Sequence, residues 1–174
     1  LTVISHSDQS SQQANLVEAK ISEKIIEGMD DEYSMGVVAP HNAQKSLIKS
    51  FVPNEVEVDT VERFQGGERD VVLMSATVSD PSYIEQEKDF LLNLNRLNVA
   101  LSRMKKKLIV IVPETIFTYI PDDVKLYESS RIWAGLRDEV ADEPDWNGSV
   151  GSFIGEDVTD KKQLQNVDVS VYTK

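Results

Sequence analysis

The chain has 174 residues, 40% of them hydrophobic, enough to bury one sizeable core and to count as a single α/β domain. Its formal net charge of −12 excludes a surface that is basic throughout, so any nucleic-acid footprint has to be local. With no cysteine, disulfides, cysteine-based zinc sites and thiol catalysis are excluded, and the two histidines stand in no ligand-spaced cluster, so no metal site is expected. No apolar run reaches membrane-span length and residues 1–30 lack a signal-peptide layout, so no membrane partner and a cytoplasmic location are expected.

In chain order, residues 1–5 read as a short strand and residues 11–29 as a helix with Ala14, Val17, Ile21 and Ile25 on one face. A polar loop over 30–34 leads to a buried strand at 35–39. A helix follows over 43–51, closed by Pro53. Residues 55–61 and 71–78 read as strands, and 79–89 as a polar loop with Pro81 as breaker. A helix over 91–104 then feeds a strand over 107–112. The alternation predicts a mainly parallel sheet flanked by helices, with ligands gathering at the carboxyl ends of its strands.

Beyond Pro113 a short helical turn over 114–120 and a helix over 123–141 are expected, with Leu126, Ser130, Trp133 and Leu136 aligned as packing residues. From Glu143 onward Gly, Ser, Asp and Asn accumulate, which predicts loop or partial order. The division is thus a core over 1–113 and a helical extension with an acidic tail over 114–174. The tail holds 13 acidic and 6 basic side chains against 17 and 12 in the core.

Two stretches carry chemistry. In 95–110, Leu97, Ala100, Leu101 and Met104 form an amphipathic stripe, and Arg96 with Arg103 forms a second stripe beside it. Seven residues is close to two turns, so the guanidinium groups leave one side of the helix about 10 Å apart, each able to fork onto phosphate oxygens. The blander reading is an ordinary amphipathic helix whose Lys105, Lys106 and Lys107 complement its C-terminal dipole. In 58–73, Gln65, Glu68, Arg69 and Asp70 crowd around Gly66 and Gly67 between two apolar runs. That suits either a hairpin or a place where backbone approaches a ligand closely.

Together these stretches resemble a known family. Residues 60–71, followed by 96–103, resemble motifs V and VI of superfamily 1 helicases, in the branch that includes the nonsense-mediated-decay and Okazaki-fragment-processing helicases. Residues 36–45 look like motif IV of that branch, and Asn15-Leu16-Val17-Glu18-Ala19 is similar to the helix start before it. The resemblance covers about residues 11–112. The chain has no Gly-x-x-x-x-Gly-Lys-Ser/Thr loop and no apolar strand ending in Asp-Glu.

The resemblance therefore implies the second of two RecA-like motor domains, P-loop-NTPase-like in fold but without its own P-loop. It implies ATP as cofactor, with Mg2+ held mainly by an upstream RecA-like domain, single-stranded DNA or RNA as partner, and no hydrolysis by the chain alone. Arg103 matches the arginine finger, with Arg96 beside it. Glu68 matches the acid that binds ribose hydroxyls, and Gln65, Gly66, Gly67, Arg69, Lys45 and Gln44 complete the expected nucleotide contacts. Thr60, Pro40, His41 and Asn42 match the strand-binding positions, with motifs IV, V and VI expected to converge.

Four positions depart from the pattern: Lys45 stands for arginine, His41 for tyrosine, Gly67 for arginine and Val78 for a basic residue. Those at Lys45, Gly67 and Val78 slightly favour a competing reading, a non-catalytic helicase-like adaptor or nucleic-acid-binding module. A hydrolase built on His6, Ser7 and Asp8 is set aside, because adjacent residues rarely converge as nucleophile, base and orienter.

Overall fold

The computed structural model describes all residues except 65, 66, 93–97 and 99–101. Gln65, Gly66, Arg96 and the apolar stripe Leu97, Ala100 and Leu101 lie outside the described residues.

The described strands are β1 (Thr2–His6), β2 (Met35–Ala39), β3 (Glu57–Thr60), β4 (Arg69–Ser75), β5 (Met104–Pro113), β6 (Trp146–Ser149) and β7 (Asp168–Thr173). The helices are α1 (Leu16–Glu27), α2 (Asn42–Lys49), α3 (Pro81–Leu91), α4 (Glu114–Thr118), α5 (Val124–Asp138) and α6 (Val150–Ile154). One sheet runs β3-β2-β4-β5-β1-β7-β6, parallel from β3 to β1 and antiparallel at β7 and β6.

The central strands carry unbroken apolar runs, Val71 to Met74 in β4 and Leu108 to Val112 in β5, because both faces of the sheet are covered there. Side chains alternate across a strand, so β4 and β5 feed two cores at once. Val72, Met74, Leu108, Val110 and Val112 join one cluster with Ile84 of α3, Ile116 of α4 and Trp133 of α5. Val71, Leu73, Ile109 and Ile111 join the other with Ile21 of α1, Ile48 of α2 and Ile154 of α6.

Two expectations fail. Residues 79–89 are expected as loop, yet Pro81–Leu91 form α3: Asp80 caps it by accepting from Ser82 and Tyr83 N–H, and Pro81 takes its first turn. A proline whose missing N–H would be unbonded anyway starts a helix as readily as it breaks one. The segment after Glu143, expected as loop, supplies β6, α6 and β7. β7 pairs along the whole of β1, Thr2 opposite Thr173 and His6 opposite Val169, and so closes the open side of the parallel sheet. Much of the helix expected over 91–104 lies outside the described residues; residues 98, 102 and 103 are helical, and Met104 opens β5 opposite Arg69.

Candidate functional site

Among the described residues, those expected to form the motifs do not converge at one end of the sheet. They divide between its two ends, separated by the length of the short strands β2 and β3, roughly 13 Å at about 3.3 Å per residue.

At the carboxyl ends lie Thr60, Pro40, His41, Asn42, Lys45 and Gln44. Thr60 closes β3 and is buried, and its carbonyl accepts from Arg63 N–H at 3.0 Å and Phe64 N–H at 2.8 Å, which turns the chain back. Pro40 and His41 are half-buried and Asn42, the first residue of α2, is exposed. Lys45 donates to Asp59 Oδ1 at 2.6 Å, and Thr60 N–H donates to the same oxygen at 2.7 Å. Burial alone would raise the Asp59 carboxyl; the Lys45 and Thr60 donors outweigh it and hold it below its ordinary value. Lys45, expected at the nucleotide, thus sits beside Thr60.

Gln44 is a correction of a different kind. It is fully buried, its Oε1 accepting from Asn15 N–H at 2.7 Å and its Nε2 donating to Asn15 carbonyl at 3.2 Å and to Ser75 Oγ at 3.1 Å. With its amide committed on both sides, it holds α2 against the start of α1 and contacts no ligand in this arrangement. Val78 is likewise fully buried in the core, so the missing basic group at that position takes no charge from the surface.

At the amino ends lie Gly67, Glu68, Arg69 and Arg103. Between Thr60 and Gly67, the ring of Phe64 is buried in the core. Gly67 has φ +87°, a left-handed conformation that favours glycine. Arg69 donates to Glu57 Oε2 at 2.5 Å and to the Glu68 carbonyl at 3.2 Å, so its fork is already engaged. The Glu68 side chain is 62% exposed, with Lys105 at 3.8 Å. Arg103 is half-buried, and among the described residues its buried Nε has no hydrogen-bond partner.

Lys105, Lys106 and Lys107 follow it, all exposed, on a stretch where β5 outruns β1, whose pairing starts only at Thr2 opposite Ile109. Lys106 lies 4.6 Å over the Tyr33 ring and 3.3 Å from Asp70. The Ser34 hydroxyl and backbone N–H, with Lys106 behind them, hold the Asp70 carboxyl down at about 2. This end therefore gathers cations on an otherwise acidic protein.

Beneath the carboxyl ends is a polar cluster that sequence reasoning missed. Glu18 of α1 is fully buried and accepts from His6 Nε2 at 3.1 Å, Ser75 Oγ at 2.5 Å and Thr77 N–H at 2.9 Å on both oxygens. Asp8 accepts from Ser10 Oγ at 2.9 Å, from Asn15 Nδ2 at 3.3 Å and from Ser79 Oγ. Burial raises the Asp8 carboxyl, and these hydroxyl donors with His6 more than reverse it. His6, Ser7 and Asp8 each face a different partner, Ser7 Oγ accepting from Asp168 N–H, so they form no triad. The signal available in the sequence was a glutamate between Val17 and Ala19 on the inward stripe of α1.

The fold is that of a RecA-like α/β domain, and residues 4–114 match the sequence family described as an AAA domain. The chain belongs to that family. It is 34% identical over 104 residues to the DNA replication ATP-dependent helicase/nuclease JHS1 of Arabidopsis thaliana, an alignment covering 59% of this chain and 8% of that protein. It is 39% identical over 85 residues to the DNA polymerase alpha-associated DNA helicase A of Saccharomyces cerevisiae, covering 46% and 12%. A regulator of nonsense transcripts 1 homolog from Neurospora crassa is 37% identical over 87 residues, covering 44% and 8%. These relatives make it a helicase-related domain, and it spans only a small part of each relative's length. No described helix is long and apolar enough to cross a membrane.

Proposed function

We propose that this chain is the second RecA-like motor domain of an ATP-dependent superfamily 1 helicase or translocase, and that its two ends serve two ligands. The amino end faces the nucleotide and the upstream RecA-like domain. The carboxyl end carries single-stranded DNA or RNA. The observation that carries the reading is Arg103, a half-buried arginine with an unpartnered buried Nε at the head of three exposed lysines. Among the described residues no carboxylate pairs with this guanidinium, which fits a phosphate supplied from outside, and Glu68, largely exposed, fits ribose hydroxyls.

ATP supplies the phosphoryl group that passes to water. Arg103 neutralises charge spreading over that group, Glu68 orients the ribose, and Gly67 lets the turn adopt its left-handed path without a side chain in the way. Arg96, Gln65 and Gly66 are assigned with them on the resemblance alone. Arg69 stabilises the turn through Glu57 and supplies positive charge. Magnesium is assigned mainly to the upstream domain on the resemblance alone. At the other end Thr60, Pro40, His41, Asn42 and Lys45 contact the strand, mainly at phosphates and sugars, so sequence preference is slight.

The test is Arg103→Ala in the native protein that contains this chain. ATP hydrolysis is expected to fall about a thousandfold or more while single-strand binding stays intact. Retained hydrolysis would refute the finger. A wild-type protein that binds a single strand and hydrolyses no ATP would instead establish the adaptor reading, which the replacement of arginine by Lys45 and Gly67 favours.

A further inference from the structure

The buried carboxylate of Glu18 has a place in the architecture that the assignments above leave unused. We propose that Glu18 is a positioning residue for the nucleic-acid face: it fixes the direction of a hydrogen-bond chain through Ser75 to Gln44, and so holds the Pro40–Asn42 turn in register with the end of β4. The proposal rests on the reading that this end of the sheet carries the strand.

A carboxylate only accepts, and every group facing Glu18 is a donor: His6 Nε2, Ser75 Oγ and the Thr77 backbone N–H, which both oxygens share. Because the Ser75 proton is committed to Glu18, the lone pairs of that hydroxyl are left for two further donors. They take Gln44 Nε2 at 3.1 Å and Thr77 Oγ1 at 3.0 Å. Gln44 stands two residues after Asn42 in α2, and its Oε1 in turn accepts from Asn15 N–H. One buried charge therefore dictates the polarity of bonds that tie together α1, the end of β4 and the first turn of α2.

Strain at Thr77 supports the assignment. Its φ of 71° is an outlier for a β-branched residue, and such conformations persist only where surrounding contacts over-determine them. Here they do. The N–H goes to Glu18, Oγ1 to Ser75, and the carbonyl accepts from Asn15 Nδ2 at 3.0 Å. Among the described residues His6 Nδ1 is buried without a partner, so the ring meets Glu18 through Nε2 alone.

Glu18→Gln keeps the shape and breaks the polarity. One oxygen becomes an NH2, which either opposes Thr77 N–H donor to donor or turns the Ser75 hydroxyl around, so that its proton meets Gln44 Nε2. Ser75→Ala removes the relay while leaving Glu18 and Thr77 in contact.

The experiment uses the native protein, with fluorescence anisotropy of a labelled oligothymidylate for strand affinity and a fluorescent ATP analogue, without strand, for nucleotide affinity. Glu18→Gln is expected to weaken strand binding about tenfold or more and to leave nucleotide affinity within about twofold; Ser75→Ala is expected to show the same split with a smaller loss of stability. Should Glu18→Gln fail to fold, Ser75→Ala carries the test. Strand affinity unchanged in the folded variants overturns the proposal, and so do strand and nucleotide affinities that fall together in step with the melting temperature. Absence of strand binding in the wild type is a separate outcome: it removes the reading on which the proposal rests.

Discussion

Gly36 and Phe64 share one space: a Cβ built on Gly36 would stand 2.5 Å from Phe64 Cζ and 2.9 Å from its Cε2. The ring is buried and pins the segment that carries the chain from Thr60, at one end of the sheet, to Glu68 at the other. Gly36→Ala must displace a packed aromatic ring or shift β2, the usual cost of overpacking being about 1–3 kcal/mol. Urea denaturation should show a lower midpoint with an unchanged slope. An unaltered midpoint would mean that Phe64 has room to move.

Glu68 offers a prediction of the opposite kind, a change in binding without a change in stability. Its side chain is 62% exposed, and Lys105 lies 3.8 Å away and is itself half exposed. Such a pair contributes little to folding. In the native protein Glu68→Ala should leave the melting temperature in place and raise KM for ATP several-fold, with a smaller effect on kcat, as expected for lost ribose contacts. A KM equal to that of the wild type would take Glu68 out of the nucleotide site.

Two carboxylates with large downward shifts should contribute to acid sensitivity. Asp70, bonded by Ser34 and approached by Lys106, is held at about 2 against an ordinary 3.8; Glu156, gripped by Lys161 and Lys20, is held at about 2 against 4.5. A folded-state value below the unfolded one stabilises above the unfolded value, and that contribution is lost as pH falls through the folded one. Stability should therefore decline from about pH 4.5 to about pH 2. Asp70→Asn combined with Glu156→Gln should flatten that limb in thermal melts across pH, and an equally steep limb in the double variant would place acid sensitivity elsewhere.

Much of this was legible in the sequence, for reasons that also explain the failures. β2, β4 and β5 announced themselves because strands covered on both faces are apolar throughout, and helix α1 because its stripe has a 3.6-residue period. α3 was hidden by Pro81, which looks like a breaker until Asp80 is recognised as its cap. β7 was hidden by composition: Asp168-Val-Ser-Val-Tyr-Thr alternates, yet it follows a segment rich in Gly, Asp and Asn. Motif spacing brought the site residues into one family and said nothing about which end of the sheet each occupies. That depends on packing such as the ring of Phe64 against Gly36, which spacing does not report. Burial separated Gln44 and Val78 from the surface residues beside them, because spacing along a chain does not report which way a side chain faces.

The ion pair of Lys45 with Asp59 makes the last prediction. Both side chains are mostly buried, at 17% and 23% exposure, and Asp59 also accepts from Thr60 N–H. If this end carries the strand, Lys45 meets the phosphates with much of its charge neutralised. Asp59→Asn keeps an oxygen for Thr60 N–H and releases the ammonium. Strand affinity at low salt should then rise, and because each further phosphate neutralised on a single strand adds about 0.7 to the slope of log K against log salt, the slope should steepen by about that amount. Anisotropy titrations at several salt concentrations measure it directly. An unchanged slope would place Lys45 away from the strand and return it to the nucleotide side, where its resemblance to a phosphate-binding arginine first put it.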